Sequence, residues 1–154
     1  MKLKKLLVPH DFSSPADVAL KAALTLAEGP GGHITVLHVV SPVTGFSDTP
    51  MASAGIYIDP QELIAGARTE LERRIAKLVP KRGGPKVDVR VEIGSPYLSI
   101  VRRGAGMDAI VMSTAGRTGL SHLLIGSIAE KVVRHATVPV LTLRPKVRKP
   151  RRAR

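Results

Sequence analysis

With 154 residues the chain fills one well-packed domain and is short for two, and with only two Phe, two Tyr and no Trp its core must come from Val, Leu, Ile and Ala. The same shortage of aromatics removes stacking platforms for single-stranded nucleic acid, and the absence of cysteine excludes disulfides, thiolate nucleophiles and zinc–thiolate sites. The net charge of +12 gathers towards one end, where Arg144, Lys146, Arg148, Lys149, Arg151, Arg152 and Arg154 stand with no acid among them.

Leu3 to Pro9 reads as a first strand. Its apolar run, Leu6 to Pro9, is far below a signal-peptide core or a membrane span, which predicts a soluble, cytoplasmic protein. Ser14-Pro15-Ala16-Asp17 then supplies a cap, a proline at the first helical position and an acid in the first turn. Val18, Ala22 and Leu26 give the helix that follows an apolar face, and Gly29-Pro30-Gly31-Gly32 ends it. His33 to Val40 is a β-branched run suited to a strand buried on both faces.

Ser41 to Ile58 is an 18-residue connection whose single charge is Asp48; loops of this length are usually lids, interface elements or disorder, and disorder or simple packing is the expectation here. Asp59-Pro60-Gln61-Glu62 starts another helix, with Leu63, Ala67, Leu71, Ile75 and Leu78 along one side and Pro80 and Gly83-Gly84 at its end. Val87 to Ile93 alternates like a strand, Ser95-Pro96 caps a short helix through Leu98 and Val101, and Met107 to Met112 is the next strand. A helix from Ile128 to about His135 and a strand from Pro139 to Leu143 complete the series. Residues 145–154 read as a solvated basic tail, with polyanion or nucleic-acid binding the less favoured alternative.

Strands alternating with helices in this way argue an α/β domain over residues 1–144, with five parallel strands sandwiched by about four helices. Ligands of such sheets sit at the carboxyl ends of the strands, so with a central first strand Pro9-His10-Asp11, Val39-Val40 and Ser113 to Gly116 share one rim. His10 is expected there as an exposed histidine and Asp11 as either a first-turn acid or a ligand contact, while His38 is expected to be a satisfied core histidine.

The stretch from Ser113 to Ser127 follows a strand, opens a helix and carries glycines at 116, 119 and 126. Such a loop suits phosphates: backbone N–H groups approach an anion unhindered, and the helix start adds donors and the positive end of a dipole. Ser127-Ile128-Ala129-Glu130 reads as a capping box, and a serine and glycine before a helix are by themselves more often a cap and turn than a ligand site. There is no Gly-x4-Gly-Lys-Ser/Thr and no Gly-x-Gly-x-x-Gly after the first strand, which removes the P-loop and dinucleotide-binding readings. His33, His38, His122 and His135 show no metal-ligand spacing with acids. The chain has no Asn and a single Gln, Gln61, a composition purged of thermolabile side chains that suggests a thermophilic source.

Gly116, the nine residues from Arg117 to Ile125, and Gly126-Ser127 resemble the nucleotide-binding loop of the universal stress protein family, in which Gly-x-x-Gly is followed by nine residues and Gly-Ser or Gly-Thr. Ser113 stands where that pattern has its first glycine, and Ala115 replaces a histidine common in the family. The resemblance extends through Val8-Pro9-His10-Asp11-Phe12-Ser13, Leu37-His38-Val39, Gly94-Ser95-Pro96 and Val138-Pro139-Val140-Leu141.

It implies a Rossmann-like fold with strand order 3-2-1-4-5, and ATP, or AMP or ADP, as ligand, with Mg²⁺ carried by the nucleotide. It also implies that Asp11 contacts the ribose or adenine side with Pro9 beside it. Val39 would meet adenine through its backbone, with Val40 next to it and His10 over the nucleotide. Gly116, Gly126, Ser127 and Ile128 would contact phosphates, Ser113 would fit beside them, and Arg117 would steer phosphate charge. A homodimer through Pro139 to Leu143 is implied as well. The function expected on this basis is a stress-response or signalling module without rapid turnover. A nucleotide-free interaction scaffold is the alternative.

Overall fold

The computed structural model describes residues 3–41, 59–80, 83–115 and 125–144. Most of the 41–58 connection, the tail at 145–154, and His122, Gly116 and Arg117 lie outside them.

The elements run β1 (Lys5–Pro9), α1 (Ser14–Leu26), β2 (His33–Val40), α2 (Pro60–Ile75), β3 (Lys86–Ile93), α3 (Pro96–Gly104), β4 (Ala109–Ser113), α4 (Ser127–His135) and β5 (Val140–Leu143). The sheet order is β3-β2-β1-β4-β5 and each neighbouring pair is parallel. Every strand therefore ends at the same edge, and β1 lies at the centre, where the chain turns from one half of the sheet to the other.

Alternation along the strands divides the core. Leu6 and Val8, Ile34 and Val36, and Ala109 and Val111 meet α1 and α2, whereas Leu7, Leu37, Ile110 and Met112 meet α3 and α4. No helix among the described residues is long and apolar enough to cross a membrane.

Two helix starts differ from the sequence reading by one residue. Ser13, not Ser14, caps α1: its extended backbone leaves its Oγ 3.2 Å from the Ala16 N–H, and Ser14 is already helical. At α4 the cap is Gly126, Ser127 is the first helical residue, and no side chain closes the cap. The capping box does not form, because Glu130 turns instead to Arg134 at 3.0 Å. Asp59 caps α2 as expected, accepting from the Gln61 N–H at 2.8 Å.

The buried face of α1 is also not the expected one. Ala16, Ala19, Leu20, Ala23, Leu24 and Ala27 face the core, and Val18 and Leu26 are exposed. Both stripes are apolar; the alanine-rich one wins because small side chains let the helix settle close over β1 and β4. On α2, Leu71 and Ile75 are buried and Leu63 is exposed.

Candidate functional site

The carboxyl ends of β1, β2 and β4 and the starts of α3 and α4 enclose a cavity of about 390 Å³. That is within the range of about 300–1,000 Å³ usual for small-molecule sites. Leu37, Val39, Pro96, Ile100 and Met112 form an apolar floor. Pro9, His10 and Asp11 stand on one side of the rim, and Ser113, Thr114, Ala115, Gly126, Ser127 and Ile128 on the other.

Among the described candidates, the structure thus gathers Pro9, His10, Asp11, Val39, Ser113, Gly126, Ser127 and Ile128 around one space. Val40 is the exception, because consecutive strand residues point to opposite faces and it packs with the α1–α2 core. Leu37, two residues before Val39, lines the cavity and is found by the same alternation.

His10 corrects the sequence reading: it is 3% exposed rather than a rim residue open to water. Its Nδ1 accepts the Phe12 N–H at 3.1 Å, so the ring proton sits on Nε2, which donates to Asp17 Oδ1 at 3.1 Å. Asp17 in turn takes both arms of the Arg74 guanidinium, Nε at 2.8 Å and Nη2 at 2.7 Å, across 57 positions of sequence. Burial pushes the His10 imidazole below its ordinary pKa despite the carboxylate beside it, so the ring is neutral at pH 7. The Arg74 hydrogen bond and charge outweigh partial burial and hold the Asp17 carboxyl below the usual range. The result is a strut joining the loop after β1 to α1 and α2.

That strut supports an unusual turn. Phe12 has φ of 64°, left-handed backbone that costs a non-glycine residue of order 1 kcal/mol or more. Its ring packs on His38 with centroids 4.3 Å apart, and the His38 Nδ1–H donates to the His10 carbonyl at 2.7 Å. His38 is buried and hydrogen-bonded, as expected of a core histidine, and it also reaches the cavity wall. Asp11 Oδ1 accepts from the Ser13 N–H at 3.1 Å and from the Ser13 hydroxyl, so the same carboxylate that lines the cavity orients the cap of α1.

The opposite rim is fastened to the sheet edge. The Leu143 carbonyl accepts from the Thr114 N–H at 3.0 Å and from the Ser113 and Thr114 hydroxyls at 3.4 Å each. Ser113 Oγ also accepts from the Ala115 N–H at 3.1 Å, and the Gly126 N–H donates to the Thr114 carbonyl at 2.8 Å. The first-turn amides of α4, at Ser127, Ile128 and Ala129, have no acceptor within their own helix. Together with the helix dipole they favour an anion at this rim.

Comparison with known proteins gives a consistent placement. The model of a family described as the universal stress protein family matches residues 2–144. The chain is 31% identical over 143 residues to the universal stress protein MJ0531 of Methanocaldococcus jannaschii, covering 92% of this chain and 82% of that one. The solved structure of MJ0577, from the same organism, superposes with a TM-score of 0.77 at 28% identity over 96% of this chain and all of the other. A universal stress protein family protein from Arabidopsis thaliana with AMP bound has the same fold, with a TM-score of 0.56 at 16% identity over 93% of this chain and 92% of that one.

Proposed function

Because this chain belongs to the universal stress protein family, we propose that it binds an adenine nucleotide in the crevice between β1 and β4, and that occupancy rather than rapid turnover is its working signal. The observation that carries the reading is the cavity at the central switch of the sheet, apolar on its floor and bounded by a carboxylate on one rim and helix-start amides on the other. Those chemistries suit the parts of such a ligand: an apolar floor takes a purine, Asp11 accepts from sugar hydroxyls, and the α4 start takes phosphate charge. AMP is the ligand of one protein with this fold. ATP with its Mg²⁺ is the fuller form the resemblance implies, the metal arriving with the nucleotide.

Mass spectrometry of material released on denaturing the purified protein is expected to show near-stoichiometric adenine nucleotide. Titration of the stripped protein with Mg-ATP is expected to give a heat signal that Asp11→Ala weakens about ten-fold, the worth of one or two charge-assisted hydrogen bonds. Neither nucleotide nor heat would turn the reading to an interaction scaffold.

We further propose a homodimer through β5. This strand pairs only with β4 among the described strands and exposes Leu141, so its open edge invites a partner strand. Sedimentation at micromolar concentration is expected to show the dimer, and Leu141→Lys to shift it to monomer. A wild-type monomer would count against the assembly.

A further inference from the structure

We propose that Ser113 holds down the phosphate affinity of this cavity by occupying an amide an anion would otherwise take, so that binding rests more on the nucleoside part of a ligand than on its phosphates. The inference rests on the nucleotide reading above and adds to it a preference among nucleotides.

Ser113, Ala115 and Gly126 all line the cavity. A phosphate there needs N–H donors, yet two of these residues have theirs engaged: Ala115 donates to the Ser113 hydroxyl and Gly126 to the Thr114 carbonyl. The Ser113 hydroxyl does not replace what it takes. Its single proton is directed to the Leu143 carbonyl, and its oxygen faces the Ala115 amide.

An incoming anion must break an internal hydrogen bond before it gains one, so the net return from this segment is small. The first turn of α4 keeps its donors, and phosphate binding is reduced rather than lost. A glycine at 113 would have no oxygen to satisfy the Ala115 amide, which would then be free for an anion in the cavity that Ala115 lines.

Calorimetric titration of wild type, Ser113→Ala and Ser113→Gly with adenosine and with AMP tests this. The ratio of AMP to adenosine affinity is expected to rise about ten-fold in both variants, since each removes the oxygen and frees the amide. A rise in the glycine variant alone would show that bulk at Cβ, not the engaged amide, sets the preference, and would overturn the inference. An unchanged ratio in proteins that bind adenosine and AMP would also overturn it while leaving the nucleotide reading intact. Failure of wild type and both variants to bind adenosine, AMP or Mg-ATP would remove the nucleotide reading, and this inference with it.

Discussion

Asp17→Ala is expected to cost about 3 kcal/mol of stability at pH 7, because it strips two partners at once. The His10 side chain has no exposed surface, so its Nε2–H would be left without an acceptor, and Arg74, its side chain 27% exposed, would lose a bidentate carboxylate. The pH dependence fixes the origin of the loss. Asp17 has a depressed folded pKa, so its contribution is complete above the unfolded value of about 3.9 and disappears as pH falls through the lower folded value. The gap between wild type and variant should therefore persist at mildly acid pH and close only below about pH 4. His10 is also depressed, so the unfolded chain gains a proton below about pH 6.5 that the folded chain refuses. Wild type should begin to lose stability from there, and His10→Gln should lack that first decline. Urea denaturation across pH measures both effects. A cost under about 1 kcal/mol would reduce the trio to an ordinary surface ion pair.

Gly32→Ala should unfold the protein at markedly lower temperature, by a different route. A Cβ on Gly32 would lie 1.9 Å from the Ala27 carbonyl oxygen and 2.9 Å from the Pro85 Cβ. The backbone has little room to give, since the Gly32 carbonyl accepts from the Lys86 N–H at 2.8 Å and the next residue, His33, donates to the Lys4 carbonyl at 2.7 Å. Those bonds seat the start of β2 between β1 and β3. Relief of the clash must displace either the end of α1 or the first rung of the sheet, at a cost of about 3 kcal/mol or more, roughly 10 °C in Tm for a domain of this size. Gly66→Ala is the control: its Cβ meets nothing within 4 Å, and alanine in an exposed helix interior should stabilise by up to about 1 kcal/mol. Equal melting of Gly32→Ala and wild type would show that the α1–β2 turn is free to relax.

How far the sequence reaches can be judged from these same residues. The β-branched run at 33–40 and the Asp59-Pro60 start announce their elements because the signals are local, and the structure has a strand and a helix start there. Local signals do not rank two apolar stripes on one helix, so Val18-Ala22-Leu26 could not be told from the alanine face that packs. The burial of His10 was hidden for a stronger reason: its environment is made by Asp17 and by Arg74, a residue of another helix far along the chain. Val40 is legible as a residue of the other face, since period-two alternation places it opposite Val39. The serine that starts α4 carries the signature of a cap without being one: Gly126 takes that place, and Glu130, which would close the box, turns to Arg134. On the cavity rim, the residue types at 9–11, 113 and 126–128 pointed to a shared ligand region, but the engaged Ala115 amide is a property of geometry alone.

Leu143 joins two parts of the molecule that otherwise look separate. It ends the outermost strand, and its carbonyl is the anchor on which Ser113 and Thr114 rest at the cavity rim. A strand added beside β5 and a ligand on the rim would each meet the sheet close to that peptide group. Thermodynamic reciprocity then sets the terms: the factor by which cavity occupancy alters pairing at the edge is the factor by which edge pairing alters affinity in the cavity. Dissociation constants for self-association, taken with and without ligand, would give the size of that exchange without a single substitution in either place.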